Sequence, residues 1–484
     1  MSSRSTPAKF AALLLGAFAC VAQAGPAPAV QTTADQLVME AIASNLEGQM
    51  YYATVEQRIA ALDIARARYL PTLDLQLRYS RADGGREIEL PIGDLMNPVY
   101  ATLNQLLAAQ GQPAPFTPIE NQSFPLLRPR EQDTKLTLFQ PIYDARISAG
   151  ASAASNELRA AEDGFEAFRV RLARDVRQAW YRWLGARQQI VILDATVDAA
   201  SANLRVNESL YRNGKITRDL VYRAEADLLE IEQRRRIAGN LERQAQAYVN
   251  LLRNAKLDTP LPAVTIAPDD VTVLGADLAR RLTLGRLELA ALQAAAAESR
   301  AELRQLDAAI AAAGDGERVA RAAFKPQLAL VVDAGSQGED FSYGSEDQYV
   351  LASAVLRFNL SRGGADRAAL REARAVGDGL RAQRAYAAEQ INLEVLQSLQ
   401  NFEVATDSLA AAAKRVEAAE GAFRIATRKR DLGQLSAAEF IDARRALTDA
   451  HQGQNLLRVE AFSSLAALEY AVGQRPRVAV ESSP

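Results

Sequence analysis

The spacing of apolar residues divides the sequence into two kinds of segment. Over residues 146–252 and 365–472, apolar side chains recur every three or four positions, which is typical of helices. In Leu73–Ser80, apolar and polar residues instead alternate strictly, which indicates a strand with one apolar face. Three further segments share this alternation: Thr134–Gln140, Gln327–Ala334 and Tyr349–Phe358. The pattern predicts two strand pairs, at about 73–140 and 327–358, each followed by a long helical hairpin.

The two halves of the chain carry the same landmarks in the same order. Tyr69–Leu75 and Phe324–Leu330 both begin with an aromatic residue, continue to a proline and end in alternating apolar residues. After each strand pair, a helical stretch reaches a glycine turn, at Gly214 in one copy and Gly433 in the other. Repetition of the whole order predicts an internal duplication.

The duplication gives the predicted boundaries. The copies span 25–256 and 278–472, joined by an irregular connector at 257–277 and followed by a flexible tail at 473–484. Each copy is predicted to contain shorter helices before its strands, at Thr33–Ser44, Gln49–Arg68 and Leu278–Ala313.

The hairpin helices are predicted to be far longer than those of a globular enzyme. No proline occurs in 146–212, and a helix of about 65 residues extends roughly 100 Å. Aromatic residues make up only 6% of the chain, while alanine, leucine and charged residues dominate the helical segments. Helices of this length and composition indicate coiled-coil packing against neighbouring helices.

The two strand pairs have very different connections. The second is short, Gly335–Asp347, whereas the first extends over about 82–131. Within the long loop, Pro98–Gln110 is predicted to be helical and Gly111–Pro129 is rich in proline. A loop of this length is uncommon unless it is functional or disordered.

Residues 1–24 form a predicted signal peptide. An apolar stretch, Phe10–Val21, follows two basic residues and precedes Ala22–Ala24, an A-x-A cleavage site. Cys20, the only cysteine, is therefore removed with the signal peptide or, alternatively, acylated as in a lipoprotein. Phe18 fits the lipoprotein signal poorly, because small residues are usual there.

The strands raise the possibility of a membrane-spanning barrel. No stretch of the mature sequence reaches the roughly 18 consecutive apolar residues of a transmembrane helix. Only helices and closed barrels satisfy their backbone hydrogen bonds inside a membrane. About four strands cannot close a barrel, since single-chain barrels begin at about eight. If these strands enter a membrane, several protomers must therefore share one barrel.

The export signal, the duplicated strand pair, the long hairpins and the glycine turns together resemble the TolC outer-membrane efflux family. The resemblance implies a mainly α fold with a membrane β-barrel portion. In that fold, a homotrimer builds a twelve-stranded barrel that continues into a periplasmic α-helical coiled-coil barrel. The implied partners are a periplasmic adaptor (membrane fusion) protein, an inner-membrane transporter of the RND, ABC or MFS type, and outer-membrane lipid. The implied function is the exit duct of a tripartite efflux pump or type I secretion system.

The resemblance also assigns roles to the hairpin turns. In the family, such turns contact the adaptor, and the matching residues here are Gly214, Lys215, Ile216, Gly433, Gln434 and Leu435. Glycine suits these turns because it adopts positive φ without steric cost. The alternative is an ordinary helix–helix turn with no partner.

Two acidic residues after the second turn match the family's periplasmic constriction. Glu439 and Asp442 lie three residues apart, so both carboxylates share one helix face. Threefold symmetry would repeat them as rings of negative charge that favour cations. The alternative is that they only complement the dipole at a helix N-terminus. The family's tyrosine and arginine latch is replaced here by Arg430 and Leu435, so that latch is not transferred.

Composition argues against other classes of protein. The net charge of −3 gives no basic character of the kind that nucleic-acid binders show. With His451 as the only histidine and no cysteine after processing, His- or Cys-based catalysis and metal sites are nearly excluded, and no cofactor is expected. The main alternative is a soluble periplasmic coiled-coil scaffold or adaptor, which would not explain the four alternating strands.

Overall fold

The computed structural model describes residues 29–265, 270–282, 286–341 and 344–475. The signal peptide at 1–24, with Cys20, and most of the tail at 473–484 lie outside the described residues. The first half contains α1 (Ala29–Ser44), α2 (Leu46–Ala67), β1 (Thr72–Arg81), β2 (Glu87–Leu90), α3 (Ile92–Ala109), β3 (Gln122–Pro125), β4 (Arg130–Tyr143), α4 (Ala145–Arg212) and α5 (Arg218–Leu252). The second half contains α6 (Asp270–Arg281), α7 (Leu289–Ser299), α8 (Ala301–Ala322), β5 (Gln327–Gly338), β6 (Gln348–Arg357), α9 (Ala365–Asp431) and α10 (Ala437–Ala471).

The lengths of the elements repeat between the halves. Helices α4 and α9 contain 68 and 67 residues, and α5 and α10 contain 35 each. The helices that precede the strands, α2 and α8, both contain 22 residues. Strands β1, β4, β5 and β6 coincide with the four predicted strands.

Two parts of the chain differ from the sequence prediction. The connector, predicted as irregular over 257–277, contains the start of α6, whose Val271, Leu274 and Leu278 are buried. These apolar residues recur at helical spacing, so the sequence carries a helical signal over part of the segment predicted as irregular. The long loop holds the predicted helix as α3, but also the unpredicted antiparallel pair β2 and β3.

The chain divides into two compact units that cut across the sequence copies. A helical unit takes Met1–Gln57, Arg159–Ala308 and Arg381–Pro484. A strand unit takes Arg58–Leu158 and Ala309–Leu380. Each unit therefore combines segments from both copies of the duplication.

The helical unit has its core around the middle of α4. Val176, Trp180 and Trp183 follow one another at helical spacing and are almost fully buried. Both indole N–H groups are satisfied: Trp180 donates to the carbonyl of Pro262 at 3.2 Å, and Trp183 donates to the Glu242 carboxylate at 2.7 Å. The first of these bonds fixes the connector against α4.

The strand unit is built on a four-stranded antiparallel sheet in the order β1-β4-β5-β6. The register places Leu75 opposite Leu136, and Asp74 opposite Thr137. Because residues directly opposite each other share a face, the predicted alternation becomes one apolar face and one polar face. Among the described residues, no helix is long and apolar enough to span a membrane.

Candidate functional site

The two predicted hairpin turns have the same backbone conformation. Gly214 and Gly433 both have φ of +68°, and among the described atoms nothing lies within 4 Å of a Cβ added to either. Each turn is closed by an equivalent hydrogen bond. In the first turn, Lys215 N–H donates to the Leu210 carbonyl, and in the second, Gln434 N–H donates to the Lys429 carbonyl. Glycine is therefore required by the backbone conformation and not by crowding.

The residues that follow these glycines point partly outward. Lys215 and Gln434 are exposed, whereas Ile216 and Leu435 are half-buried. Each turn thus presents one polar side chain beside one apolar side chain. A protein partner could contact such a surface without any rearrangement of the turn.

Glu439 forms a local contact that sequence analysis left open. Its carboxylate accepts hydrogen bonds from the backbone N–H and the hydroxyl of Ser436, at 3.0 and 2.7 Å. The Ser436 hydroxyl in turn accepts from the Glu439 N–H, which completes a capping box at the start of α10. These bonds from Ser436 lower the pKa of Glu439. Asp442 is exposed and takes no part in the cap.

The second turn is reinforced by stacked side chains. The Arg430 guanidinium lies 4.2 Å from the centre of the Phe440 ring, and Phe440 packs on Phe423 at 5.6 Å. Phe440 is almost fully buried. Arg430 is one of the two residues that replace the tyrosine and arginine of the family's latch. Its guanidinium therefore packs within its own hairpin.

A buried ion pair joins α5 to α10 beyond the turns, and sequence reasoning missed it. The Arg444 guanidinium donates to both oxygens of Asp227, at 2.7 and 2.6 Å. Both bonds come from Nη2, and because the two side chains are only 4% and 5% exposed the contact is removed from water; Nη1 of Arg444 is buried without a hydrogen-bond partner among the described atoms. Arg445 also reaches Asp227, at 3.5 Å.

The duplication contains a signal that could have marked Arg444, though not its partner. Arg444 lies 11 positions after Gly433, and the residue 11 positions after Gly214 is Glu225. A change of charge between equivalent positions of a repeat indicates that the two copies have different partners.

The long loop folds through side-chain amides that act as strand partners. Asn97 donates to the Ile119 carbonyl and accepts from the Ile119 N–H, at 2.9 and 2.8 Å. Asn104 pairs with the backbone of Phe116 in the same way, at 2.7 and 3.2 Å. The polar face of α3 therefore faces the loop, while four apolar residues on its other side are exposed: Leu95, Val99, Leu103 and Leu106.

No group of His, Cys, Asp or Glu in the described part of the chain is arranged to hold a metal ion.

Comparisons with known proteins give a family for part of the chain and a fold for nearly all of it. Residues 292–474 match the outer membrane efflux protein family. The CmeC outer membrane channel of Campylobacter jejuni aligns with a TM-score of 0.73 and 15% identity, over 95% of this chain and 90% of that chain. The outer membrane protein VceC of Vibrio cholerae gives 0.71 and 17%, over 91% and 96%. The MtrE outer membrane channel of Neisseria gonorrhoeae, in its open state, gives 0.70 and 17%, over 91% and 89%.

A comparison with curated protein sequences gave no match. The family match confirms the resemblance predicted from the sequence and, with it, the outer-membrane location. The solved structures confirm the fold.

Proposed function

We propose that this chain, whose residues 292–474 match the outer membrane efflux family, is the outer-membrane exit duct of a tripartite efflux pump or type I secretion system. It conducts substrates passively from an inner-membrane transporter and its adaptor to the exterior. The observation that carries this proposal is the fold, which follows outer-membrane channels over nine-tenths of both chains.

The edges of the sheet support assembly into a trimer. Strands β1 and β6 each have a neighbour on one side only within the described sheet. A long unpaired edge is a template for pairing with another chain. Four strands cannot close a barrel by themselves, whereas three protomers that pair β1 with β6 supply twelve.

The helical hairpins are proposed to continue this assembly into the periplasm. Their turns at Gly214–Ile216 and Gly433–Leu435 are the proposed contacts of the adaptor protein. The equal backbone geometry of the two turns supports six similar docking positions in a trimer, two from each protomer. The transporter behind the adaptor is proposed to be of the RND, ABC or MFS type.

Glu439 and Asp442 are proposed to have different roles at the constriction. The Glu439 carboxylate is held by Ser436, while Asp442 is exposed on the same helix face. Asp442 is therefore the better candidate for a ring that attracts cations, and Glu439 fixes the start of the helix that carries it.

Planar-bilayer recording of the purified full chain tests the proposal. We expect unitary conductance and a detergent-stable trimer from outer-membrane extracts that dissociates on heating. The alternative, a soluble periplasmic scaffold or adaptor, predicts a soluble monomer in the periplasmic fraction and no conductance. That outcome would exclude the exit duct.

A further inference from the structure

A cavity in the strand unit lies where the sheet meets the helices. Its volume is about 530 Å³, within the roughly 300–1,000 Å³ of pockets that hold small organic ligands. Phe139, Pro141 and Val355 contribute apolar walls, and three arginines, Arg68, Arg146 and Arg357, also line it. All of these residues belong to the strand unit.

The register of the sheet places the cavity on the polar face. Thr72 is opposite Phe139, so the face that carries Asp74 and Gln76 continues into Phe139. On β5 and β6, Ala329 is opposite Val355, which continues the same face. At its helical end, where the cavity lies, this face carries Phe139, Ala329 and Val355, although Leu351 also lies on it opposite Asp333.

The charges around this apolar patch are mostly positive. Arg146 binds Asp144 at 2.7 Å, so these two lining residues neutralise each other. Arg68 and Arg357 are exposed, and neither forms an ion pair with any acid in the described ranges. Two unpaired guanidinium groups beside an apolar wall match a ligand with an apolar body and a negatively charged end.

We propose that this cavity binds amphipathic organic anions, such as aromatic sulfonates or carboxylates, as they pass through the duct. Arg68 lies beside β1 and Arg357 lies on β6, at opposite edges of the sheet, and either guanidinium can hold the anionic group through charge-assisted hydrogen bonds while Phe139 and Val355 contact the apolar body. The inference rests on the proposed function, because it takes the polar face as the lining of the channel. It assigns a cargo chemistry that the fold alone does not specify.

Two measurements on the full-length protein test the site. Titration calorimetry in detergent measures binding of 2-naphthalenesulfonate, and planar-bilayer recording measures block of the current by the same probe. A trimethylammonium compound with the same naphthyl ring serves as the cationic probe. We expect the sulfonate to bind and block at concentrations at least about tenfold lower than the cation.

Variants distinguish binding in the cavity from a general effect of positive charge on the protein. The double variant Arg68→Gln/Arg357→Gln should weaken sulfonate binding about tenfold or more, and Phe139→Ala should weaken it for the naphthyl probe more than for benzenesulfonate. Arg371→Gln removes an exposed arginine of α9 outside the cavity and should leave binding unchanged.

The possible outcomes distinguish this inference from the proposed function. Equal block by anion and cation, or equal binding by the double variant and Arg371→Gln, overturns the site while conductance still supports the duct. Absence of conductance overturns the duct, and calorimetry then still decides whether the cavity binds the sulfonate. An anionic lipid retained by the native protein and lost in the double variant, seen by native mass spectrometry, would overturn the assignment to cargo.

Discussion

At the scale of single residues, the turn glycines show how backbone conformation restricts the sequence. A residue with a Cβ at φ of +68° is strained by about 1–2 kcal/mol, even where space is open. The first testable prediction concerns Gly433→Ala. We expect it to lower the free energy of unfolding by about 1 kcal/mol and to weaken adaptor binding, measured by thermal denaturation and by titration with the cognate adaptor.

A matched control separates strain from the loss of glycine itself. Gly379 lies inside α9 with ordinary φ and with open space for a Cβ among the described atoms. Gly379→Ala should therefore be neutral or stabilise by about 0.5–1 kcal/mol, because alanine favours helix. Equal destabilisation by both variants would contradict the role assigned to the turn conformation.

The buried ion pair gives a second prediction. Arg444→Gln leaves the buried Asp227 carboxylate with only the more distant Arg445, at 3.5 Å, and loss of the close partner of a buried charge typically costs about 3–5 kcal/mol. The double variant Arg444→Gln/Asp227→Asn removes both charges and should recover much of that loss. A double-mutant cycle by chemical denaturation measures the coupling, and additive effects of the two single variants would show that the pair contributes no specific contact.

The cap at Glu439 gives a prediction on pH. Its pKa is lower in the folded chain than the ordinary value of 4.5, because Ser436 hydrogen-bonds to the charged form. The cap therefore stabilises the folded state above about pH 4.5 and loses this contribution as the pH falls through the lower, folded pKa. Protection of the amides in the first turn of α10 against hydrogen exchange, corrected for the intrinsic rate at each pH, should fall over that range in the wild type, with a smaller change in Glu439→Gln.

At the scale of elements, α3 is oriented by polar contacts rather than by apolar burial. Asn97 and Asn104 lie seven residues apart on one face and pair with the backbone of the loop. Replacing both with alanine should leave the Ile119 and Phe116 amides without these partners. We expect faster hydrogen exchange of those two amides, measured by mass spectrometry, whereas Gln105→Ala on the exposed side should leave it unchanged.

The long helices depend on a different balance of forces. Their termini are set by local signals, such as the glycine turns and the Ser436 cap, but their stability comes from packing along the seam. The buried Trp180 and Trp183 lie in the middle of α4, far in sequence from either terminus. The ends of each hairpin and its buried core therefore depend on different residues.

At the scale of the whole molecule, the proposed duct gives a prediction on ion selectivity. Asp442→Asn should reduce the preference for cations in planar bilayers, because three such carboxylates would form a ring. Glu439→Gln should change selectivity less, since the Glu439 carboxylate is already engaged by Ser436. Glu403→Gln, at an exposed acid of α9, is the control. Equal effects of Asp442→Asn and the control would remove Asp442 from the constriction.

The sequence by itself determined the order and the ends of the main elements. Alternation in Leu73–Ser80 and helical spacing after residue 146 depend only on which face each side chain takes, and that is a local property. The turn glycines and the duplicated lengths follow from the same local rules. The strands β2 and β3 have four residues each, too few for an alternation to be recognised, whereas α6 does carry apolar residues at helical spacing within the segment predicted as irregular.

Only the tertiary structure decided which distant residues meet. Nothing local indicates that Asp227 pairs with Arg444. The two residues are 217 positions apart in the sequence, and their contact depends on how α5 and α10 pack against each other. The same holds for the cavity, where Phe139, Ala329 and Val355 share one face through the register of the sheet. Periodicity fixes the face of each element, whereas the partner of each face is fixed by packing between elements.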